Sequence, residues 1–187
     1  MIANYSEELS QMSLEELWQL FPIELKEHND AWNAWYEEEK NLLRTFLPED
    51  ARINHIGSTA IKGIWAKPIV DILVEISGET DFGRLKDEFS KYGYICMSEN
   101  RSRISFNKGY TPRGFDRKVF HVHVVFFGDT PEIAFRDYLN ANPKVAKEYE
   151  TLKLGLWKKY EHDRDGYTDA KTDFIQSCLA KINAMNN

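Results

Sequence analysis

The most constraining feature of the sequence is an apolar run, Ile69–Val74, that carries a single carboxylate, Asp71, near its middle. The run is rich in β-branched residues and follows Pro68, which favours an extended backbone, so it predicts a buried strand. Burying an ionised carboxylate is costly unless the group is paired or belongs to a site. Asp71 is therefore the best candidate for a functional residue in the chain.

A turn of small residues precedes this strand. Arg52–Ile56 is predicted as a strand, and Gly57, Ser58 and Thr59 close it about a dozen residues before Asp71. Such a turn lets the backbone approach a ligand closely and exposes N–H donors that suit phosphate oxygens. Most Gly-Ser turns are only turns. In phosphoryl-transfer sites, however, a strand carboxylate holds the divalent cation while a small-residue turn holds the phosphate.

Two histidines alternate with apolar residues on a later predicted strand, Val119–Phe127. The period of two places His121 and His123 on one face of that strand. Two neutral imidazoles and a carboxylate, here Asp71, form a suitable ligand set for a divalent metal. Partly buried histidines that hydrogen-bond to the backbone or to a carboxylate are an equally weighted alternative.

Several basic residues lie near the predicted strands, and each has an alternative role on the surface. Lys67 stands at the start of the acidic strand, where it could meet a phosphate or extend into solvent. Arg103 and Lys108, on a strand and its following loop, could line a cleft for an anion. Arg164 and Lys171, near the last helix junction, are at least as compatible with an ordinary surface role.

The order of the remaining patterns predicts helices, then a strand-rich middle, then helices. Ser13 and Glu16 predict a capped helix over Leu14–Leu20, and the aromatic stripe of a helix over Ala31–Leu47 is typical of core packing. The other predicted elements are a strand over Ile23–Leu25, a helix over Phe82–Tyr92, strands over Tyr94–Met97 and Arg103–Asn107, a loop over Lys108–Lys118, a helix capped by Asp129 or Thr130 and ending near Leu139, a helix from Asn142-Pro143 to a break at Asp165-Gly166, and a helix from Thr168 to Ala184. These patterns predict a mixed α/β (α+β) fold in one domain, residues 1–187, with residues 1–12 as a polar, mobile tail.

Composition sets the class of protein. The 187-residue chain is 42% hydrophobic and 29% charged, as ordinary soluble globular proteins are. Its net charge of −6 argues against general nucleic-acid binding, although a local basic cleft remains compatible with it. Cys96 and Cys178 lack metal-type spacing and are expected to be buried, apolar in character. We find no signal-peptide pattern and no apolar run of about 20 residues, so we expect a cytoplasmic protein without a membrane partner.

Four stretches of the sequence are similar to a known family. HIGSTAIKGIWAKPIVDILV, RISFNKGYTPRGFDRKVFHVHVVFFGD, FRDYLNANPKVAKEYETLKLGLWKKY and DRDGYTDAKTDFI resemble the GrpB family, and the resemblance runs from Phe21 to Ile182. That family belongs to the nucleotidyltransferase superfamily. The resemblance implies a nucleotidyltransferase-like mixed β-sheet flanked by helices, with a helical C-terminal third and with the Gly-Ser turn and the acidic strand at its active edge.

The resemblance also implies a chemistry. It implies transfer of a nucleotidyl group to a small molecule, with a nucleotide or another phosphorylated small molecule as ligand and a divalent cation as cofactor: Mg²⁺, Mn²⁺ or a transition metal. Asp71 would be the catalytic carboxylate. The metal ligands would be Asp71, His121 and His123, and the phosphate-binding residues would be Gly57, Ser58, Thr59, Lys67, Arg103 and Lys108.

Leu73 departs from the superfamily pattern. The pattern is Asp-x-Asp or Asp-x-Glu, and Leu73 stands where the second carboxylate would be. A two-metal transfer needs several carboxylates to bind and bridge the ions. Either His121 and His123 replace the missing ligands, or the protein is a non-catalytic module that binds a nucleotide or another anion. An enzyme of another reaction type that uses the same pocket is a third alternative.

Overall fold

A five-stranded mixed sheet forms the centre of the computed structural model, which describes residues 6–78, 80–128 and 130–186. The strands are β1 (Arg52–Ile56), β2 (Ile69–Ile76), β3 (Ile95–Glu99), β4 (Arg103–Thr111) and β5 (Gly114–Phe126). They lie in the order β1-β2-β5-β4-β3, where β2 and β5 are parallel and the other neighbours are antiparallel. The predicted mixed sheet is confirmed.

Helices precede, interrupt and follow the sheet. They are α1 (Ser6–Ser10), α2 (Leu14–Leu20), α3 (Ala31–Leu43), α4 (Phe82–Lys91), α5 (Pro131–Ala141), α6 (Pro143–Trp157), α7 (Arg164–Asp169) and α8 (Thr172–Asn186). Ser13 and Glu16 form the predicted capping box of α2. The C-terminal third is helical, as the sequence predicts. None of the described helices is both long and apolar enough to cross a membrane.

One face of the sheet packs into the largest hydrophobic core. Val70, Ile72 and Val74 of β2 are buried there, against Trp32 of α3 and Phe89 of α4. The aromatic stripe of α3 is therefore core, as predicted. Because side chains alternate along a strand, the residues between these three point to the opposite face of the sheet.

The opposite face carries the polar strand residues and lies against the C-terminal helices. Asp71 of β2 and His121 of β5 face a cleft there, whose other wall is built from α5, α6, α7 and α8. A second buried cluster, which includes Leu139, Tyr149 and Cys178, holds α5, α6 and α8 together. The fold thus positions the helical C-terminal third over the polar face.

Several element predictions are wrong for physical reasons. Residues 108–118 are not a loop but the ends of β4 and β5, joined by a tight turn at Pro112-Arg113. Gly109, with φ +88°, occupies a β-bulge there, so a glycine that reads as loop lies inside a hairpin. Ile23–Leu25 is not a strand, and a single bridge joins Lys26 to Ala66 nearby.

Helix boundaries and termini also differ from the predictions. Helix α3 ends at Leu43, α6 ends at Trp157, Asp165-Gly166 lies inside α7, and α8 begins at Thr172. Residues 6–10 form α1, whose Leu9 is buried, so this part of the predicted mobile tail is ordered. Residues 1–5 and the alternative helix cap Asp129 lie outside the described residues. Thr130 occupies the N-cap position of α5 without a side-chain cap bond. Cys178 is buried as expected, but Cys96 is exposed.

Candidate metal and anion site

The strand register brings Asp71 and the two histidines together. In the parallel pair β2 and β5, Asp71 lies beside His121 and Leu73 beside His123. Nδ1 of His121 is 3.1 Å from Oδ1 of Asp71. One ligand atom from each of Asp71, His121 and His123 lies within 4.8 Å of the other two. The three predicted metal ligands therefore form one cluster, and their donor atoms fit a divalent metal.

A hydroxyl group contacts the other nitrogen of each histidine. Nε2 of His121 is 2.8 Å from Oη of Tyr110, and Nδ1 of His123 is 3.0 Å from Oγ of Ser105. Both hydroxyls come from β4, the antiparallel neighbour of β5. Such partners fix the orientation of an imidazole ring and determine which nitrogen remains available to a ligand.

The protonation states of the cluster follow from burial and from these contacts. Burial raises the pKa of Asp71, but the hydrogen bond from His121 and nearby positive charge outweigh it and leave the pKa below its usual range. Burial lowers the pKa of His123 to about 4, and it lowers the pKa of His121 despite the adjacent carboxylate. At neutral pH the cluster is an ionised carboxylate with two neutral imidazoles, the forms that bind metals.

Gly57 leaves room for the carboxylate of Asp71. Its backbone has φ +71° and ψ −172°, a region that is essentially restricted to glycine. A Cβ atom at this position would lie 2.3 Å from Oδ2 of Asp71. The glycine therefore allows the turn to lie directly against the acidic strand, and Gly57 and Ser58 both line the cleft.

Thr59 does not reach the cleft, which corrects its predicted role in phosphate binding. Its side chain is buried, and its hydroxyl donates to the carbonyl of Ile69 at 3.2 Å. The same hydroxyl is 3.0 Å from Nε2 of His55. Thr59 thus ties the small-residue turn to the start of β2, and its effect on the site is one of position.

A cleft of about 630 Å³ opens beside the Asp-His-His cluster. This volume is ordinary for a small-molecule site. Five basic side chains line it, namely Lys67, Arg103, Lys153, Arg164 and Lys171. Within the part of the chain that the structure describes, Arg103 forms an ion pair, with Glu132, and the other four form none. The cleft therefore has more basic than acidic side chains, although the whole chain carries a net charge of −6.

Burial lowers the pKa of the lysines in the cleft. Together with the charges of Arg164 and Lys171, it lowers the pKa of Lys67 to about 7. It also lowers the pKa of Lys153 to about 7 and that of Lys171 to about 8. The ammonium groups of Lys67 and Lys171 lie 5.6 and 4.3 Å from the centroid of the Tyr167 ring. A bound anion would stabilise their charged forms.

The two remaining predicted phosphate ligands behave differently. Arg103 lines the cleft, but its Nη1 donates to Oε1 of Glu132 at 2.7 Å, so part of its charge is already compensated. Lys108 is not in the cleft, which corrects its predicted role. Alternation along β4 places Lys108 on the opposite face from Arg103, and its ammonium pairs there with the buried Glu39.

Replacing Lys108 by methionine is expected to destabilise the protein without affecting ligand binding. The change leaves Glu39, which is 6% exposed, without its cation, at a cost of about 1–3 kcal/mol in unfolding free energy. Urea unfolding measures this cost, and Lys118→Met, which removes an exposed ion pair with Glu38, should stay within about 0.5 kcal/mol of the parent. If Lys108→Met instead weakened anion binding, the assignment of Lys108 to the opposite face would be wrong.

Two residues of the cleft, Tyr149 and Lys153, are not among the site residues predicted from the sequence. Both lie on α6, and their spacing of four residues puts them on one face of that helix. Tyr149 is buried beside Ser58, and burial raises its pKa to about 12. The ammonium of Lys153 donates to the carbonyl of Trp65. The sequence contains one signal for Lys153. Tyr149 belongs to an apolar stripe of the helix, and the residue four positions later lies on the same, inward-facing side.

Comparisons with known proteins agree on one relationship. Residues 22–181 match the family model described as GrpB protein. The glutamate-rich protein GrpB of Alkalihalophilus pseudofirmus is 41% identical over 162 residues, 83% of this chain and 92% of the relative. The UPF0157 protein YqkA of Bacillus subtilis is 32% identical, over 83% of this chain but only 46% of the relative. The crystal structure of the conserved protein GrpB from Enterococcus faecalis superposes with a TM-score of 0.73 at 31% identity, over 85% of this chain and 96% of that one.

Proposed function

The chain belongs to the GrpB family, and from this premise we propose that its cleft binds a nucleoside triphosphate with a divalent cation and transfers the nucleotidyl group to a small molecule. In this proposal Asp71, His121 and His123 hold the cation. Gly57 and Ser58, together with the basic side chains of the cleft, bind the phosphates. This is the function predicted from the sequence, but Thr59 and Lys108 leave the set of phosphate ligands, and Lys153, Arg164 and Lys171 join it.

One observation carries the proposal: Lys67, Lys153, Arg164 and Lys171, which form no ion pair with any described residue, line the same cleft as the Asp-His-His cluster. Lys67, Arg164 and Lys171 lie close enough to one another for each to affect a neighbour's pKa. Holding several cations together in a partly buried cleft is unfavourable unless an anion binds there. A polyphosphate supplies such an anion, and a cation at the neighbouring cluster would neutralise part of its charge.

In the proposed transfer, different residues of the cleft bind the phosphates and stabilise the leaving group. Lys67, Lys171 and Arg164 bind phosphate oxygens and hold the leaving pyrophosphate, whose negative charge they stabilise. Gly57 allows the backbone to approach the phosphates closely. In the reaction, a hydroxyl oxygen of the acceptor bonds to the α-phosphorus and loses its proton to water, while the bond from that phosphorus to pyrophosphate breaks. When bound, the cation would supply electrostatic stabilisation of the phosphates.

Leu73 favours a second candidate function, a module that binds the same ligand without transferring it. Its side chain is fully buried beside His123, on the cleft face of β2. No carboxylate therefore stands at the position where the superfamily pattern has its second one. The single carboxylate of Asp71 would then suffice to bind a metal-polyphosphate complex but not to support the two-metal reaction.

Calorimetric titration separates these possibilities. Each of the four common nucleoside triphosphates is titrated into the protein with Mg²⁺ or Mn²⁺, and release of pyrophosphate is followed across a panel of small-molecule acceptors. Binding together with pyrophosphate release supports the transferase. Binding without release over the whole panel supports the module. Absence of triphosphate binding in the presence of either metal would contradict both candidates.

Triphosphate affinity is expected to fall as the pH rises from 7 to 9. Lys67 and Lys153 have a pKa of about 7 and Lys171 of about 8, so their positive charge is present below these values and lost above them. The terminal phosphate of the ligand is fully ionised over this range, because its last pKa is about 6. We expect affinity at pH 9 to be about tenfold lower than at pH 7, measured by calorimetry in buffers of equal ionic strength.

A pair of lysine variants on α6 provides the control for this pH dependence. Lys153→Met should weaken binding at pH 7 by about tenfold and make the pH dependence shallower. Lys144→Met removes an exposed lysine from the same helix and should change neither quantity. Equal affinity at pH 7 and pH 9 in the parent protein would contradict a role for these lysines in binding.

We also propose a cytoplasmic location. The two cysteines, Cys96 and Cys178, are unpaired, which suits a reducing compartment. Cell fractionation with detection of the tagged full-length protein tests this, and recovery from the cell envelope or the medium would contradict it.

A further inference from the structure

We infer that the cluster of Asp71, His121 and His123 selects a first-row transition metal over magnesium, with Nδ1 of His121 and Nε2 of His123 as the ligand atoms and with Tyr110 and Ser105 as positioning residues. This inference rests on the metal-binding part of the proposed function and not on nucleotide binding or transfer.

The donor set is the first argument. Two of the three donors are imidazole nitrogens and only one is a carboxylate oxygen. Magnesium binds oxygen ligands almost exclusively, whereas imidazole suits Zn²⁺, Fe²⁺, Co²⁺ and Ni²⁺. Leu73 occupies the position from which a second carboxylate could have joined the set. The exchange of an oxygen site for a nitrogen-rich one changes which metal binds best.

The hydrogen bonds of the histidines give the second argument. His121 uses Nε2 for the hydroxyl of Tyr110, and His123 uses Nδ1 for the hydroxyl of Ser105. Each ring therefore keeps one nitrogen for a metal and has the other held by an outer partner. This is the arrangement in which ligating histidines are usually found, and loss of the outer partner typically lowers metal affinity by about 10–100-fold.

The spacing of the ligand atoms is the third argument. Nδ1 of His121 and Oδ1 of Asp71 are 3.1 Å apart. Two neighbouring ligands at about 2.1 Å from one ion are themselves about 3 Å apart. A metal ion that replaces the proton of this hydrogen bond, and lies to one side of the line between the two atoms, would therefore bind both without movement of the strands. The parallel register of β2 and β5 fixes this spacing.

Tyr110, which contacts His121, also connects the Asp-His-His cluster to Arg164, one of the basic side chains of the cleft. Nη2 of Arg164 donates to Oη of Tyr110 at 3.0 Å, while Tyr110 contacts His121. With a metal on Nδ1, His121 carries its proton on Nε2 and donates to Tyr110, whose oxygen can accept from both neighbours. Tyr110 is thus placed to hold the ring in the orientation that metal binding needs.

The test uses metal ions alone, without nucleotide. The full chain is treated with a chelator, dialysed, and titrated with Co²⁺, Zn²⁺, Mn²⁺ and Mg²⁺ by calorimetry, and Co²⁺ binding is also followed by its visible absorption. We expect Co²⁺ and Zn²⁺ to bind at least about 100-fold more tightly than Mg²⁺. The Co²⁺ spectrum should report nitrogen ligands, and His121→Gln or His123→Gln should abolish it.

Two variants of the outer partners test the positioning roles. Tyr110→Phe and Ser105→Ala should each weaken Co²⁺ binding by about tenfold and shift the Co²⁺ absorption spectrum, whereas a purely structural role would leave the spectrum of the bound ion unchanged. Ser98→Ala, at an exposed position of β3, is the matched control and should bind Co²⁺ as the parent does. Circular dichroism verifies that each variant is folded.

The outcomes separate this inference from the proposed function. Mg²⁺ binding as tight as Co²⁺ binding, or an unchanged Co²⁺ spectrum in both histidine variants, would overturn the inference even if triphosphates bind. Tight Co²⁺ binding at the histidines in a protein that binds no triphosphate would support the inference and contradict the proposed function.

Discussion

Asp71→Asn is expected to reduce metal affinity, and with it metal-dependent triphosphate affinity, by at least about 100-fold. Asparagine has nearly the same shape as aspartate, and its carbonyl oxygen can still accept the hydrogen bond that Nδ1 of His121 gives to Asp71 at 3.1 Å. The substitution therefore removes the negative charge and leaves the packing of the site unchanged. The remaining donors are two neutral imidazoles, which cannot offset the charge of a divalent cation.

The comparison is made by calorimetry with Co²⁺, and then with Mn²⁺ and a triphosphate. Asp137→Asn is the matched control, because Asp137 is a largely exposed carboxylate on α5 whose partner is the adjacent Arg136. It should bind as the parent protein does. If Asp71→Asn bound the metal with parental affinity, Asp71 would not be a ligand, and the cluster would have to be interpreted as a hydrogen-bonded pair with a nearby histidine.

The sequence was sufficient to predict which residues form the Asp-His-His cluster, because their choice depends on local rules. A period of two put His121 and His123 on one face of a strand, and the apolar run around Asp71 made that carboxylate exceptional. The β1 strand follows the predicted bounds, and α2 has its predicted capping box. Alternation could not predict the register between β2 and β5. These two strands are far apart in the chain, and their parallel pairing is what puts Asp71 beside His121.

Only some of the basic side chains of the cleft could be predicted, because their position depends on how the C-terminal helices pack against the sheet. Lys153 shares α6 with Lys144 and Lys147, and only its spacing of four residues from Tyr149 indicates that it faces the cleft. Arg164 begins the short helix α7 and Lys171 follows it, and for both residues a surface role was at least as compatible with the sequence. Lys108 is a different case, since alternation along its strand, if extended past Asn107, would have placed it on the face opposite Arg103.

Gly57→Ala is expected to destabilise the protein by about 3 kcal/mol and to abolish metal binding at the cluster. Gly57 has a φ of +71°, which an L side chain rarely adopts, so alanine is strained there in any surroundings. Its Cβ would also lie 2.3 Å from Oδ2 of Asp71, a distance that no relaxed contact shows. Either the turn or the carboxylate must move, and movement of Asp71 separates it from His121.

Two other glycines allow the two causes to be measured separately. Gly63 has the same φ of +71°, but no atom of the described residues lies within 4 Å of the position that a Cβ would occupy. Gly63→Ala should therefore cost only the backbone strain, about 1 kcal/mol, and should leave metal binding intact. Gly155 lies inside α6 in open space, so Gly155→Ala should stabilise the protein by about 0.5–1 kcal/mol. Urea unfolding and Co²⁺ titration of the three variants give the comparison.

If Gly57→Ala behaved like Gly63→Ala in both measurements, the contact with Asp71 would contribute nothing, and the glycine of the Gly-Ser turn would serve the turn alone. If it lost the metal as well, the glycine would be needed because it leaves space for the carboxylate of the next strand.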